Sequence, residues 1–139
     1  NAFKLFVVDS GLLGAMGEME PIDMLMPGNS MAESKGAFTE NYVLCQLMCL
    51  NDIHCYYYSR DDSRLEIDFV VQYKGEIVPI EVKSGVKGSM NSMYSLMNNQ
   101  QKHISRGIRC SLENFGSFMS PANKRIDIIP LYAVSKIFE

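Results

Sequence analysis

The sequence predicts an α/β domain, and three patterns along the chain indicate it. Residues 65–83 have the pattern of two strands joined by a turn, and residues 31–51 carry apolar side chains at helical spacing. Residues 107–112 and 125–129 have the pattern of further strands. With 139 residues and 47% hydrophobic content, the chain has enough apolar material for the core of one domain, and no internal boundary or repeat divides it.

The hairpin is the clearest local signal in the sequence. The runs LEIDFVVQY and EIVPIEVK flank Lys74-Gly75, which fits a two-residue turn with Tyr73 opposite Glu76. This register makes one face of the ribbon apolar throughout, as a half-buried antiparallel pair requires. The apolar pairs that it predicts are Val71–Val78, Phe69–Ile80 and Ile67–Val82.

The same register makes the other face of the hairpin acidic. It places Asp68 opposite Glu81 and Glu66 opposite Lys83. Like charges directly opposite one another are destabilising, so the Asp68–Glu81 pair calls for a cation, and Lys83 follows Glu81 on the same face. The alternative is an ordinary solvated strand surface with a Glu66–Lys83 ion pair, and the strand pattern taken alone favours that alternative.

The predicted helix over residues 31–51 contributes a further acid. Glu40 precedes Val43, Leu44 and Leu47 by three, four and seven residues, which places its carboxylate on their apolar face. A carboxylate in that position is costly unless another group compensates it. Alternatively, Glu40 lies at the edge of the stripe in water, near the N-terminal part of the helix where acids are favourable.

Weaker patterns predict the remaining elements. The spacing favours a short helix capped by Asp9 or Ser10, an irregular connection over residues 17–30 that packs through Met24, Leu25 and Met26, and a turn-rich stretch over residues 114–124. The other predicted elements are a buried strand at Phe3–Val8, a strand in HCYYYS, a helix over residues 89–101 and a final helix in LYAVSKIF.

Charge and composition limit the function classes. The net charge is −3, with four basic and eleven acidic residues in 1–73 and nine basic and five acidic residues in 74–139. The basic second half suits an anionic partner, whereas the overall acidity argues against strong non-specific binding to nucleic acid. No run is long enough to span a membrane, the given residues do not have the charged-then-apolar pattern of a signal sequence, and no GxxxxGK[ST] motif for ATP occurs. Four cysteines without a compact framework favour a reduced, cytoplasmic protein.

The chain order of four residues resembles a known nuclease core. Glu40 on a helix, then Asp68, Glu81 and Lys83 on a hairpin resemble the PD-(D/E)XK nuclease pattern. A narrower resemblance covers nearly the whole chain, because several blocks occur in the order found in the uncharacterised C-terminal domain of many prokaryotic AAA-type ATPases. These blocks are KLFVVDSGLL, GAFTENYVLCQL, YYYSR, EIDFVV, IVPIEVKSG, GIRCSL and IIPLYAVSKI.

The resemblance implies a fold and a site. The fold is a central mixed β-sheet flanked by helices, a restriction-endonuclease-like core, formed as a single domain over residues 1–139. Asp68, Glu81 and Glu40 would hold Mg²⁺ or Mn²⁺, and Lys83 would orient or activate the attacking water. Gln100 or Gln101 resembles an accessory polar position. The abrupt start of the chain predicts a C-terminal fragment of a longer protein that carries an ATPase module.

Three functions are therefore considered. The first is a metal-dependent nuclease that hydrolyses nucleic acid, DNA in the first place, and is attached to an AAA-type ATPase. The second is a catalytically silent, nuclease-derived module for docking, regulation or DNA binding. The third treats the hairpin charges as ordinary surface and requires Glu40 to fall beside them by chance.

Overall fold

The computed structural model describes residues 3–20, 22, 32–60, 65–99 and 104–138. Within these residues, a six-stranded mixed sheet with flanking helices confirms the predicted α/β class. Helices α1, α2 and α3 span Ser10–Met16, Ala32–Met48 and Asn91–Asn98, and a 3₁₀ helix spans Leu131–Lys136. The strands β1 to β6 span His54–Arg60, Leu65–Tyr73, Glu76–Val82, Arg106–Ser111, Gly116–Met119 and Arg125–Pro130.

The order of strands across the sheet is β1-β2-β3-β4-β6-β5. The first three strands form an antiparallel meander, and β3, β4 and β6 run parallel to one another. A parallel pair needs a long crossover connection, and α3 lies within the connection between β3 and β4. β5 adds to β6 in the antiparallel sense at the outer edge.

The turn of the hairpin has the predicted form. Lys74 and Gly75 both have positive φ angles, 46° and 83°, as in the type I′ turn whose twist matches that of the flanking strands. Glycine adopts such angles without steric cost. From Tyr73↔Glu76 to Phe69↔Ile80, the observed pairs confirm the predicted register.

Beyond Phe69 the predicted register is wrong, because β2 contains a bulge. Tyr56 on β1 opposes Val70, whereas Tyr58 opposes Ile67, so three steps along β2 match two along β1. The extra residue lies at Asp68–Phe69, and a residue inserted in this way turns the side chains beyond it to the other face. The predicted pair Ile67–Val82 is therefore absent from the described ladder, and the two side chains belong to different core clusters.

Two apolar clusters cover the two faces of the sheet. The first lies under α2 and the 3₁₀ helix, and its most buried members include Val43, Leu47, Phe69, Ile80 and Val134. The second lies under α3 and includes Ile67, Met93, Leu96, Met97 and Ile126. Because both faces are covered, β3 and β4 are buried along most of their length, as central parallel strands usually are.

The segment 3–8 is not the predicted buried strand. It runs without regular secondary structure beside α2, and Phe3, Leu5 and Val8 are exposed. Its bonds go to side chains of α2 instead of a strand: the Val7 N–H donates to Asn41 Oδ1 over 2.8 Å. Lys4 and Phe6, the alternate residues, point inward, and this alternation made the run resemble a strand.

Two other predictions change in detail. The turn-rich stretch 114–124 contains β5, whose glycine and serine weaken its strand signal. The final helix is a 3₁₀ helix. The predicted cap of α1 is confirmed, and of the two candidates it is Asp9. Met24, Leu25 and Met26 lie outside the described residues. None of the described helices combines the length and apolar character needed to cross a membrane.

Candidate functional site

The four residues singled out by the sequence come together at one end of the β2–β3 hairpin. Glu40 lies on α2, Asp68 at the bulge of β2, Glu81 near the end of β3 and Lys83 directly after it. Burial, followed by the charge of Asp68, raises the pKa of both Glu40 and Glu81. The grouping predicted from sequence is therefore present in space.

The bulge determines where Asp68 points. In place of a regular strand pair with Glu81, the Asp68 carboxylate accepts a hydrogen bond from the Val82 N–H over 2.8 Å at Oδ2. Burial raises the pKa of Asp68, and the Val82 hydrogen bond and the charges of Lys4 and Lys83 partly oppose that rise. Bulges commonly redirect a side chain in this way beside functional sites.

Glu81 is the most deeply buried acid of the group. The residue is 7% exposed, and Lys83 Nζ donates to its Oε1 over 2.6 Å. Its other oxygen, Oε2, is buried and has no hydrogen-bond partner among the described residues. Burial, followed by the charge of Asp68, raises the pKa of Glu81 to about 7, although Lys83 opposes the rise. A buried carboxylate oxygen without a partner is energetically costly, and a cation would relieve that cost.

Lys83 does not form the pair with Glu66 that the strand register predicts. Its ammonium contacts Glu81, and Glu66 contacts the ammonium of Lys4 over 2.7 Å instead. The end of the ladder explains this exchange, because the pairs of β2 and β3 stop at Phe69↔Ile80, before Glu66 is reached, and the bulge of β2 follows directly. Lys83 therefore stays beside the acids Glu81 and Asp68.

Lys4 is the site residue that the sequence analysis missed. Its Nζ lies 3.3 Å from Glu40 Oε2, 2.7 Å from Glu66 Oε1 and 3.7 Å from Asp68 Oδ1. Burial alone would lower the pKa of Lys4, but the hydrogen bond to Glu66 and the charges of Glu40 and Asp68 raise it overall. The signal in the sequence was a single lysine within the apolar run FKLFVV.

Glu40 faces inward from α2, as the helical spacing predicted. Burial and the charge of Asp68 raise its pKa, and the ammonium of Lys4 opposes that rise. Lys4 is thus the compensating group that an inward carboxylate requires. The alternative of an acid standing in water at the edge of the stripe does not fit its half-buried position.

The loop after β3 fixes the stem of Lys83. Arg109, nearly buried on β4, donates from Nη2 to the Val86 carbonyl over 2.9 Å and from Nη1 to the Gly88 carbonyl over 3.5 Å. Its Nε lies 2.8 Å from Glu113 Oε2 as an ion pair without the direction of a hydrogen bond. Arg109 thereby holds the loop against the sheet.

Gly88 leaves room for the Lys83 stem, and its replacement is expected to move that lysine. A Cβ atom at Gly88 would lie 2.6 Å from Lys83 Cδ, and the φ of 152° is one that other residues rarely adopt. Because Lys83 lowers the pKa of Glu81, Gly88→Ala is expected to raise that pKa further, as measured by carboxyl ¹³C NMR titration. The strained backbone is expected to cost about 1–3 kcal/mol of stability.

Gly85→Ala provides the matched control for this substitution. Gly85 lies in the same loop, and a Cβ atom there would meet nothing within 4 Å. Its replacement should leave the titration of Glu81 unchanged. An unchanged Glu81 pKa in Gly88→Ala would show that the stem of Lys83 does not depend on the room left by glycine.

The donor set suits a hard divalent cation held by two carboxylates. Within the described residues, no group of three or more His, Cys, Asp or Glu side chains could hold a metal ion. Mg²⁺ generally takes only one or two carboxylates and completes its shell with water and substrate oxygens. Asp68 and the partnerless Oε2 of Glu81 fit that description, whereas Glu40 is already paired with Lys4.

An open cavity is lined by chain neighbours of two of the site residues. Its volume is about 430 Å³, and its lining is mainly apolar. Thr39 and Ser84, the chain neighbours of Glu40 and Lys83, line it together with the aromatic rings of Phe38, Tyr42 and Tyr132. The size lies within the range of small-molecule pockets. The predicted accessory positions Gln100 and Gln101 lie outside the described residues.

Comparison with known families gives a match over most of the chain. Residues 35–134 match the model of a family described as Domain of unknown function (DUF4143). The matched span includes Glu40, Asp68, Glu81 and Lys83, whereas Lys4 precedes it. Comparison with curated proteins finds no match.

Proposed function

This chain belongs to the DUF4143 family, and we propose that it is a metal-dependent nuclease domain that hydrolyses phosphodiester bonds of DNA. The observation that carries the proposal is Glu81 Oε2, which is buried and has no hydrogen-bond partner among the described residues. The other oxygen of Glu81 accepts a hydrogen bond from Lys83 over 2.6 Å, and the charge of Asp68 acts on the same carboxylate. Two acids and a lysine in this arrangement form the site of the PD-(D/E)XK nucleases that the sequence resembles.

Asp68 and Glu81 would hold Mg²⁺ or Mn²⁺, with water and substrate oxygens completing the coordination shell. A bound divalent ion supplies Lewis acidity toward the phosphate and lowers the pKa of its water. Side chains of the protein would carry out the remaining functions at the site. The Lys83 ammonium, which contacts Glu81, would donate to a phosphate oxygen and stabilise the charge that develops there. Glu40 and Lys4 act as a paired charge beside Asp68.

The proposed reaction consumes one water for each bond. The water oxygen forms a bond to phosphorus and loses a proton, the bond from phosphorus to the ester oxygen breaks, and the departing oxygen gains a proton. The products are a phosphate monoester and an alcohol. Aromatic rings in the neighbouring cavity, among them Phe38 and Tyr132, could stack on bases near the scissile bond.

The proposal also places the domain beside an AAA-type ATPase module of the same polypeptide, in the cytoplasm. The support is the order of the sequence blocks that resemble the C-terminal domain of such ATPases, together with cysteines that are free throughout the described residues. In this arrangement, the ATPase would control access of nucleic acid to the site.

Lys83→Ala is expected to reduce DNA cleavage about 100-fold or more, because it removes a charge that acts on the transition state. The measurement incubates the chain with supercoiled and branched DNA in Mg²⁺ or Mn²⁺ and follows the products on gels. Lys74→Ala is the matched control, since it removes an exposed lysine from the distant hairpin turn. EDTA should abolish cleavage by the unchanged chain.

A second candidate function is a silent docking or regulatory module. Lys4 favours it, because a lysine among the acids removes the charge that would attract an ion to Glu40. No cleavage of either DNA, with the ATPase module also supplied, would favour this candidate. Binding of that module by both Asp68→Ala and the unchanged chain would then support docking.

A further inference from the structure

The ammonium of Lys4 lies among three carboxylates. Its contacts run to Glu40 at 3.3 Å, Glu66 at 2.7 Å and Asp68 at 3.7 Å. The Lys4 side chain is only 22% exposed, so these carboxylates share a cation that is largely withdrawn from water. A position surrounded by several carboxylate oxygens is the kind of position in which a divalent ion also binds.

The position of Lys4 is fixed by its neighbours in the chain. The Val7 N–H donates to Asn41 Oδ1, and the ring of Phe6 packs on Phe69 with centroids 5.7 Å apart. Asp9 then caps α1 through a bond from the Leu12 N–H. Contacts to both the sheet and the helices therefore hold the segment that follows the lysine, and the largely buried ammonium is not a mobile surface group.

A second feature of the cluster is a carboxylate oxygen that no cation contacts. Glu81 Oε2 has no hydrogen-bond partner among the described residues, and the Glu81 side chain is more than nine-tenths buried. No ammonium of the described chain reaches this oxygen, because Lys83 contacts Oε1. The acids thus surround two positions, one occupied by Lys4 and one facing Glu81.

We propose that the site takes one divalent ion, between Asp68 and Glu81, and that Lys4 permanently occupies the position beside Glu40 that a second ion would need. The inference rests on the proposed function, because it assumes that the acids bind metal at all. In this arrangement the Lys4 ammonium takes the place of a second metal ion. The site can therefore bind only one divalent ion from solution.

The charges of the cluster agree with this number. Glu40, Glu66, Asp68 and Glu81 carry four negative charges when ionised, and Lys4 and Lys83 carry two positive charges. The remainder is two negative charges, which a single divalent ion neutralises. Removal of the Lys4 ammonium would leave three negative charges and an open position lined by carboxylate oxygens, as a second ion requires.

The test counts bound Mn²⁺ with the full chain, by calorimetric titration and by electron paramagnetic resonance of the free ion. The unchanged chain is expected to bind one Mn²⁺, and Lys4→Met is expected to bind two. Lys4→Arg restores a cation and should return the number to one. Lys74→Met, which removes an exposed lysine at the hairpin turn, should also bind one. These readouts require no cleavage.

The outcomes separate this inference from the proposed function. Two Mn²⁺ in the unchanged chain, or one Mn²⁺ in a folded Lys4→Met, would overturn the role of Lys4 and leave the nuclease site standing. No Mn²⁺ in any of the four proteins would overturn the metal site itself. If Lys4→Met does not fold, Lys4→Gln takes its place. Two Mn²⁺ in the unchanged chain would still overturn the role of Lys4, whichever variant is used.

Discussion

Glu81→Gln is expected to stabilise the metal-free domain by up to about 3 kcal/mol near pH 8, because it removes a buried charge whose pKa is raised from 4.5 to about 7. A raised carboxyl pKa means that the folded state holds its proton more tightly than the unfolded state. The stability that this proton contributes is complete below about pH 4.5 and is lost as the pH rises to about 7. The advantage of the variant should therefore appear above about pH 4.5, grow as the pH rises, and be complete only above about pH 7.

The measurement is urea unfolding in EDTA at several pH values, followed by circular dichroism. Glu18→Gln is the control, since it replaces an exposed glutamate, and its effect should be small at every pH. Mn²⁺ at pH 8 should reverse the order of stability, because the unchanged chain binds the ion and Glu81→Gln has lost a ligand. A variant that is less stable than the unchanged chain in EDTA at pH 8 would contradict the burial argument.

Phe69→Ala is expected to destabilise the domain by about 3–5 kcal/mol, the usual cost of removing a buried aromatic ring. Phe69 is 2% exposed and lies in the cluster under α2, at the bulge that positions Asp68. Its ring also packs against Phe6, so the substitution should release the segment that carries Lys4. Urea unfolding measures the loss of stability, and amide hydrogen exchange over residues 3–8 measures the release of the segment.

Phe3→Ala is the matched control for this ring removal. Phe3 is 81% exposed in the same N-terminal segment, and its loss should change stability by less than about 0.5 kcal/mol. Equal losses in the two variants would mean that Phe69 is not the buried anchor described above. Normal stability with faster exchange in Phe69→Ala would mean that only the segment depends on it.

Local chemistry explains what could be predicted from the sequence. The turn at Lys74-Gly75 and the pairs next to it depend on backbone angles and alternation within a few residues. The inward position of Glu40 follows from helical spacing alone. These features need no knowledge of distant parts of the chain, and the structure confirms them.

The features that were missed depend on distant contacts. LEIDFVV alternates without a break, so nothing within it marks the bulge at Asp68, which appears only in the pairing with β1. The run FKLFVV favours a strand, yet no neighbouring strand pairs with it in the described fold, and its bonds go to α2. Lys4 therefore enters the site through tertiary packing that its own sequence does not specify.

The docking of the N-terminal segment has a kinetic consequence. Lys4 and Glu40 are 36 positions apart in the chain, and the segment contributes no strand pairing that would hold it in place early. Closing such a separation costs conformational entropy before any contact offsets that cost. The hairpin, which carries Asp68 and Glu81, is therefore expected to form before the segment docks. During that interval the carboxylates that contact Lys4 in the folded domain lack its ammonium. Refolding at high divalent concentration should then slow, because an ion captured at that position must leave before Lys4 can enter.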